Sequence, residues 1–224
     1  MPHADSGIFL TQDGSHSIYS AEFGVPYHSK YGAIQESMHV FLQAGLHYRL
    51  PSLSKVRILE MGFGTGLNAL LTYRVGVQTN KPIEYTAVEA FPISMAAASA
   101  LNYPQLLEES AVTFAALHRA AWNSMVKIGP YFSLLKQQAK LQEATLSSPY
   151  DVIYYDAFAP TTQPELWTED IFAKLYAATA PQGVLVTYCA KGAVKRALKA
   201  VGYQVEGLAG PPGKREMTRA TRTA

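Results

Sequence analysis

Residues 58–68 read Ile-Leu-Glu-Met-Gly-Phe-Gly-Thr-Gly-Leu-Asn, an apolar run that ends in Glu60 and then places Gly62, Gly64 and Gly66 at a spacing of two. Glycine tolerates backbone conformations that a Cβ forbids, so such a loop lets main chain come close to a ligand. With Leu67 onward reading as a helix, this is the strand-to-loop-to-helix turn on which nucleosides bind. The dinucleotide fingerprint GxGxxG offsets its third glycine by one more residue and cradles a pyrophosphate at the helix N-terminus. Here the acid before the loop is unwelcome to a phosphate and suits a cationic group. The next apolar run, Ile83–Glu89, also ends in a carboxylate, which at a strand tip can accept both hydroxyls of a ribose. A third acid, Asp156, follows Asp151–Tyr155 and opens the segment Asp-Ala-Phe-Ala-Pro. A carboxylate there can capture an ammonium group, orient it and accept its proton as a bond to nitrogen forms.

Strands must deliver these acids to one edge. The pattern predicts a hairpin over residues 8–20 around Asp13-Gly14 and a helix over Gly32–Gly45, with Ile34, Met38, Phe41 and Leu42 at helical spacing. Pro51 ends this leader, dividing the chain into an extension (1–50) and a domain (51–224). Strands follow at Ile58–Glu60, Pro82–Glu89, Tyr131–Lys136, Asp151–Asp156, Gly183–Cys189, Tyr203–Leu208 and Glu216–Ala220. Helices are expected at Ser94–Leu101, Leu117–Val126, Pro164 to about Ala180, and Gly192–Val201. Strand–helix alternation implies an α/β fold with a mostly parallel, seven-stranded sheet covered on both faces.

At 224 residues, 48% hydrophobic and 16% charged, the chain suits one domain with an elaboration. Its single cysteine, Cys189, excludes an internal disulfide and suits a reducing compartment. The six histidines, His3 among them, show no metal-ligand spacing, so no metal site is expected. With no membrane-length apolar run and no signal-like N-terminus, a cytoplasmic location is expected. From Lys191 onward, eight basic residues face two acids, a surplus of six that leaves the rest of the chain at −4 within a net charge of +2. A basic segment of this kind suits a polyanion such as nucleic acid.

The ExGxGxG loop resembles motif I of Rossmann-like methyltransferases, whose cofactor is S-adenosyl-L-methionine, and the Asp156–Pro160 segment resembles the loop that N-methyltransferases use to hold an amine. Taken together, EMGFGTGLNALL, YYDAFAPTTQPELWTEDIF, VTYCAKGAVKRAL, PPGKREM and the leader SAEFGVPYHSKYGAIQESMHVFLQAGL resemble the methyltransferase domain of the MnmC family and its stand-alone MnmD counterparts. The resemblance covers nearly the whole chain. It implies methylation of 5-aminomethyl-2-thiouridine at the tRNA wobble position, giving the 5-methylaminomethyl form. Matched residue by residue, the cofactor set is Glu60, Gly62, Phe63, Gly64, Gly66, Asn68, Glu89 and Asp156, with Asp156 also catalytic. Bifunctional members carry a Gly-Asp pair after the third strand; here that stretch is Lys136-Gln137-Gln138-Ala139, so Gln138 is the residue expected near the adenine. Tyr27 and Phe158 are expected to stack the extruded base, Pro160 to bind the substrate beside them, and Lys214 and Arg215 to meet the anticodon loop. With no room for a flavin-dependent oxidase half, another enzyme is expected to supply the aminomethyl group.

Three other readings share some of these residues. A nicotinamide-dependent oxidoreductase is disfavoured by the glycine spacing. An aminopropyltransferase shares ExGxGxG but wants several acids around a polycation, against the basic C-terminal segment. A non-catalytic tRNA-binding module does not require Glu60, Glu89 and Asp156 together.

Overall fold

The structure, a computed structural model, describes residues 7–147 and 149–223; His3 lies outside them. β1 (Ile8–Leu10) and β2 (His16–Ile18) pair antiparallel as the Asp-Gly signal predicts. Gly14 adopts φ +82°, and Asp13 Oδ1 accepts the Ser15 backbone N–H at 3.0 Å. The other Asp13 oxygen accepts the Gln35 N–H at 2.9 Å, so the hairpin turn satisfies an orphan donor of the next helix. That helix, α1 (Ala33–Ser37), runs straight into a π-helical stretch, Met38–His47. Its Val40, Phe41, Leu42 and Leu46 are fully buried, and Gly45 sits where a Cβ would lie 2.9 Å from Val186 on the sheet. A bare backbone at Gly45 is what lets the helix approach so closely.

After a 3-10 turn at Leu50–Ser52 come β3 (Val56–Met61), α2 (Leu67–Thr79), β4 (Ile83–Glu89), α3 (Met95–Ser99), α4 (Tyr103–Leu106) and α5 (Ala111–Arg119). Then follow β5 (Met125–Gly129), β6 (Phe132–Gln138), β7 (Tyr150–Tyr155), a 3-10 turn at Pro164–Leu166 and α6 (Glu169–Ala178). β8 (Thr179–Thr187), α7 (Gly192–Ala200), β9 (Gln204–Ala209) and β10 (Glu216–Thr221) complete the chain. The sheet order is β5-β6-β4-β3-β7-β8-β10-β9, with β6, β4, β3, β7 and β8 mutually parallel and β10 and β5 antiparallel to their neighbours. All-parallel central strands are buried on both faces. The apolar runs of β3, β4 and β7 meet that requirement: Ile58 and Tyr154 pack under α2 and the π-helix, Leu59 and Ile153 under α6 and α7.

The main sheet therefore has eight strands among the described residues, where seven are expected from sequence. The expected helix over Leu117–Val126 is also corrected. α5 stops at Arg119, Asn123 turns the chain at φ +58°, and Met125–Gly129 forms an edge strand paired with β6. Within it Val126 and Ile128 pack on the core while Met125 is exposed, a period of two that a five-residue run scarcely separates from a helical one. Among the described residues no helix is long and apolar enough to cross a membrane.

Candidate active site

β3, β4 and β7 lie side by side in parallel, so Glu60, Glu89 and Asp156 reach the same carboxyl edge of the sheet. Above that edge is a cavity of about 320 Å³, at the low end of the roughly 300–1,000 Å³ typical of small-molecule sites. Its floor is the glycine loop. Gly62, Gly64 and Gly66 take φ of +89°, +47° and +74°, all left-handed, which is the conformation the glycine spacing anticipates. A Cβ on Gly64 would lie 2.9 Å from the Tyr27 ring, and one on Gly66 would lie 2.7 Å from His118 Nε2.

Glu89 shapes this floor. Its Oε2 accepts the Gly64 N–H at 2.9 Å and its Oε1 the Phe91 N–H at 2.7 Å, tying the loop after β3 to the loop after β4. Each oxygen keeps a further lone pair for a hydroxyl. Burial raises the Glu89 pKa, against the lowering by these backbone donors.

Glu60 lies beneath the floor rather than on it. It is 1% exposed, and neither carboxylate oxygen has a hydrogen-bond partner. Burial, with the charge of Asp156 adding to it, holds this carboxyl well above the ordinary carboxylate range. Asn68, in the first turn of α2, lines the cavity; its Nδ2 donates to Asp156 Oδ2 at 3.0 Å while its Oδ1 is unpartnered. Asp156 is partly buried, and its carboxyl is pushed up to about 7, by burial first and then by the nearby charge of Glu36; Asn68 and Lys214 act in the opposite direction.

The wall that rises from the glycine loop at Tyr27 is aromatic. Phe158 packs against both Tyr27 and Phe23, each with centroids 5.1 Å apart, and Phe23 meets Phe91 edge-on at 5.5 Å. Phe158 is anchored through its backbone, whose N–H donates to Gln163 Oε1 at 3.1 Å and whose carbonyl accepts Trp167 Nε1–H at 2.9 Å. His28 lines the cavity beside the glycine loop, its Nε2 3.4 Å from Thr65 Oγ1, and burial lowers its pKa to about 4.

Of the residues singled out from sequence, Gly62, Phe63, Gly64, Asn68, Glu89, Asp156, Tyr27, Phe158 and Lys214 line this cavity together. Gly66 caps α2 at its edge. Gln138 and Pro160 do not line it: Gln138 is exposed at the end of β6, where its N–H donates to Asn123 Oδ1 at 3.2 Å. Arg215 is exposed outside the cavity, near Gly207 and Glu216. Lys214 turns inward instead, pairing with Glu36 and lying 3.9 Å over the Tyr188 ring. Sequence reasoning missed Glu36, Phe23, Phe91 and Tyr188; Phe23, Glu36 and Tyr188 fall inside the family-like segments, but no spacing marks them out individually. Among the described residues no cluster of three or more His, Cys, Asp or Glu side chains is placed to hold a metal ion.

These features fit a nucleoside-bearing, cationic cofactor. The floor is glycine backbone in left-handed conformation, Glu89 stands at the second strand tip with lone pairs to spare, and Asn68 of the cavity lining has an Oδ1 without a partner.

A family model described as S-adenosyl-L-methionine-dependent methyltransferase matches residues 108–223, which include Asp156 and the cavity wall around it. The chain is 32% identical over 220 residues to the tRNA 5-methylaminomethyl-2-thiouridine biosynthesis bifunctional protein MnmC of Methylobacillus flagellatus, covering 89% of this chain and 33% of that protein. It is 30% identical over 232 residues to the protein of the same name from Aromatoleum aromaticum, covering 98% and 36%. The chain thus spans about a third of the length of these curated relatives. It superposes on the crystal structure of MNMC2 from Aquifex aeolicus with a TM-score of 0.76 at 27% identity, covering 98% of this chain and 72% of that one. Spermidine synthase from Thermotoga maritima shares the fold alone, with a TM-score of 0.55 at 14% identity over 96% of this chain and 72% of that one. With the family match spanning residues 108–223 and the glycine loop, Glu89 and Asp156 assembled at one sheet edge, the chain belongs to the S-adenosyl-L-methionine-dependent methyltransferases.

Proposed function

We propose that this protein transfers a methyl group to the primary amine of 5-aminomethyl-(2-thio)uridine at the wobble position of tRNA, producing the 5-methylaminomethyl form. The observation that carries the reading is Asp156, a carboxylate pushed up to about 7 at the junction of the glycine loop and the aromatic wall. The names of the relatives, at about 30% identity, support the choice of a tRNA wobble uridine over other amines.

When bound, S-adenosyl-L-methionine supplies an electrophilic methyl group. On this reading the Gly62–Gly66 backbone and Phe63 form its bed, Glu89 takes the ribose hydroxyls, and Asn68 supplies an acceptor for its cationic amino end, with Glu60 sealed beneath the loop and out of reach of the ligand. The protein's remaining task is to present an amine with a free lone pair. A primary alkylamine titrates near lysine, at about 10.4. An ordinary aspartate near 3.9 is a poor acceptor for its proton, with a mismatch of about 6 to 7 pH units. At about 7, Asp156 narrows that gap to roughly 3 units and still carries charge enough at neutral pH to hold the ammonium. Asn68 fixes the orientation of the carboxylate, and the Tyr27 and Phe158 rings exclude water and offer faces to an extruded base.

Residues 1–50 are read as an extension whose Phe23–Glu36 stretch walls the site, and residues 51–224 as the catalytic domain. The exposed cations Lys191, Arg196, Lys199 and Arg215 are read as phosphate contacts for the anticodon arm. Another enzyme supplies the aminomethyl group, and the reaction takes place in the cytoplasm. The test is incubation with tRNA bearing 5-aminomethyluridine and S-adenosyl-L-methionine, followed by nucleoside mass spectrometry. A gain of one methyl on the wobble base is expected; no gain overturns the proposal.

A further inference from the structure

Lys214 lies just before β10 and Glu36 in α1, 178 residues earlier, yet their side chains meet in the wall of the cavity. They are not a surface latch: the Glu36 side chain is 10% exposed and that of Lys214 31%. Withdrawing two charges from water costs free energy that their mutual attraction only partly returns, so the pair is an expensive way to hold two segments together. Both groups also keep hydrogen-bonding capacity in hand. Glu36 Oε1 accepts from Lys214 and Oε2 accepts the Ser29 N–H at 3.0 Å, while each carboxylate oxygen can take two donors. Lys214 has three N–H bonds and gives one to Glu36, with its ammonium held against the Tyr188 ring. The Tyr188 hydroxyl donates to the Ala157 carbonyl at 2.8 Å, which sets this acceptor–donor pair beside the Asp156 loop.

We infer that Glu36 and Lys214 form a subsite that reads the hydrogen-bonding edge of the methyl-accepting pyrimidine, the carboxylate accepting the ring imide N–H and the ammonium donating to the adjacent carbonyl. This rests on the proposed methylation of a 5-aminomethyluridine. Uracil presents O4 beside N3–H, and its complement is a donor beside an acceptor, which is what the pair offers. Cytosine presents an amino group and an unprotonated N3 at the same places, setting donor against donor and lone pair against carboxylate. The ring cannot turn over to escape, because its 5-substituent must reach Asp156. The aromatic faces of Tyr27 and Phe158 cannot make this choice, since every base has a π-face.

The test uses an anticodon stem–loop RNA carrying 5-aminomethyluridine and a second carrying the N3-methylated analogue, each methylated by the parent, Glu36→Ala, Glu36→Gln and Lys214→Met. The parent should prefer the N3–H substrate by about tenfold or more in kcat/KM, because a site built to pair a donor rejects the analogue lacking it. Glu36→Ala should abolish that preference, and Lys214→Met should raise KM for the RNA while calorimetric affinity for S-adenosyl-L-methionine stays at the parent value. Should Glu36→Ala fail to fold, Glu36→Gln decides, with a preference reduced at least threefold. A parent-like preference in the Glu36 variants, with parent-like KM in Lys214→Met, overturns the subsite, as does a parent with no preference. Failure of the parent to methylate either RNA overturns the proposed reaction itself, and the subsite with it.

Discussion

Asn68 Nδ2 and Asp156 Oδ2 stand 3.0 Å apart, joining the first turn of the helix after the glycine loop to the loop after β7. One residue thereby belongs to both halves of the site, lining the cavity proposed for the cofactor and orienting the carboxylate proposed to receive the amine. Its contact favours the charged form of Asp156, whereas burial and Glu36 favour the neutral form.

Asp156→Asn keeps the shape and removes the proton acceptor. Turnover on aminomethyluridine tRNA should fall by about 10²–10⁴, the usual worth of a positioned base, with S-adenosyl-L-methionine affinity close to that of the parent. In the parent the carboxylate form is the active one, so kcat/KM should fall as pH drops through about 7. Single-turnover rates over a pH series check both, and a wild-type rate in the variant rules out the role.

Gly64→Val should abolish cofactor binding by calorimetry. The new Cβ meets the Tyr27 ring at 2.9 Å, and φ +47° is a conformation β-branched residues avoid. Circular dichroism should show the fold retained, since the new side chain meets only the Tyr27 ring at the cavity wall and no strand of the sheet.

Glu89→Ala removes the acceptor of two backbone donors, Gly64 N–H and Phe91 N–H, as well as the proposed ribose partner. Cofactor affinity should weaken by about 1–3 kcal/mol, the cost of leaving such groups unsatisfied. Titration calorimetry measures it, and unchanged affinity refutes the assignment.

His28 couples stability to acid. The unfolded chain takes up its proton below about 6.5, the folded chain only below about 4, so the unfolded state binds more protons between these values. This contribution is intact above pH 6.5 and is lost as pH falls toward 4, at up to about 1.4 kcal/mol per pH unit. Urea unfolding at pH 7 and pH 5 should show a smaller acid-induced loss for His28→Gln than for the parent.

Arg196→Ala/Lys199→Ala should weaken tRNA binding and flatten its salt dependence without changing cofactor affinity. These side chains are exposed on α7, whereas Lys214 is committed to Glu36 and the cavity. Equal salt slopes for variant and parent would move the phosphate contacts off α7.

The chain order of Glu60, Gly62–Gly66, Glu89 and Asp156 is legible without coordinates, because each acid ends an apolar run and parallel strands bring such ends to one edge. Gly62, Gly64 and Gly66 need left-handed backbone, and their spacing announces it. What sequence alone does not separate are short runs with two readings, hence the edge strand Met125–Gly129, whose first two residues fall in the helix expected over Leu117–Val126, and the eighth strand it adds. Side-chain direction at element ends is likewise decided only by packing. Gln138 ends its strand exposed beside Asn123, and Glu60 is sealed beneath the loop it introduces. Lys214 and Arg215 are adjacent in sequence and alike in charge, yet one enters the cavity and the other faces solvent. No local pattern distinguishes them, because the partner that draws Lys214 inward, Glu36, is 178 residues away and reaches it only when the N-terminal helix packs on the sheet.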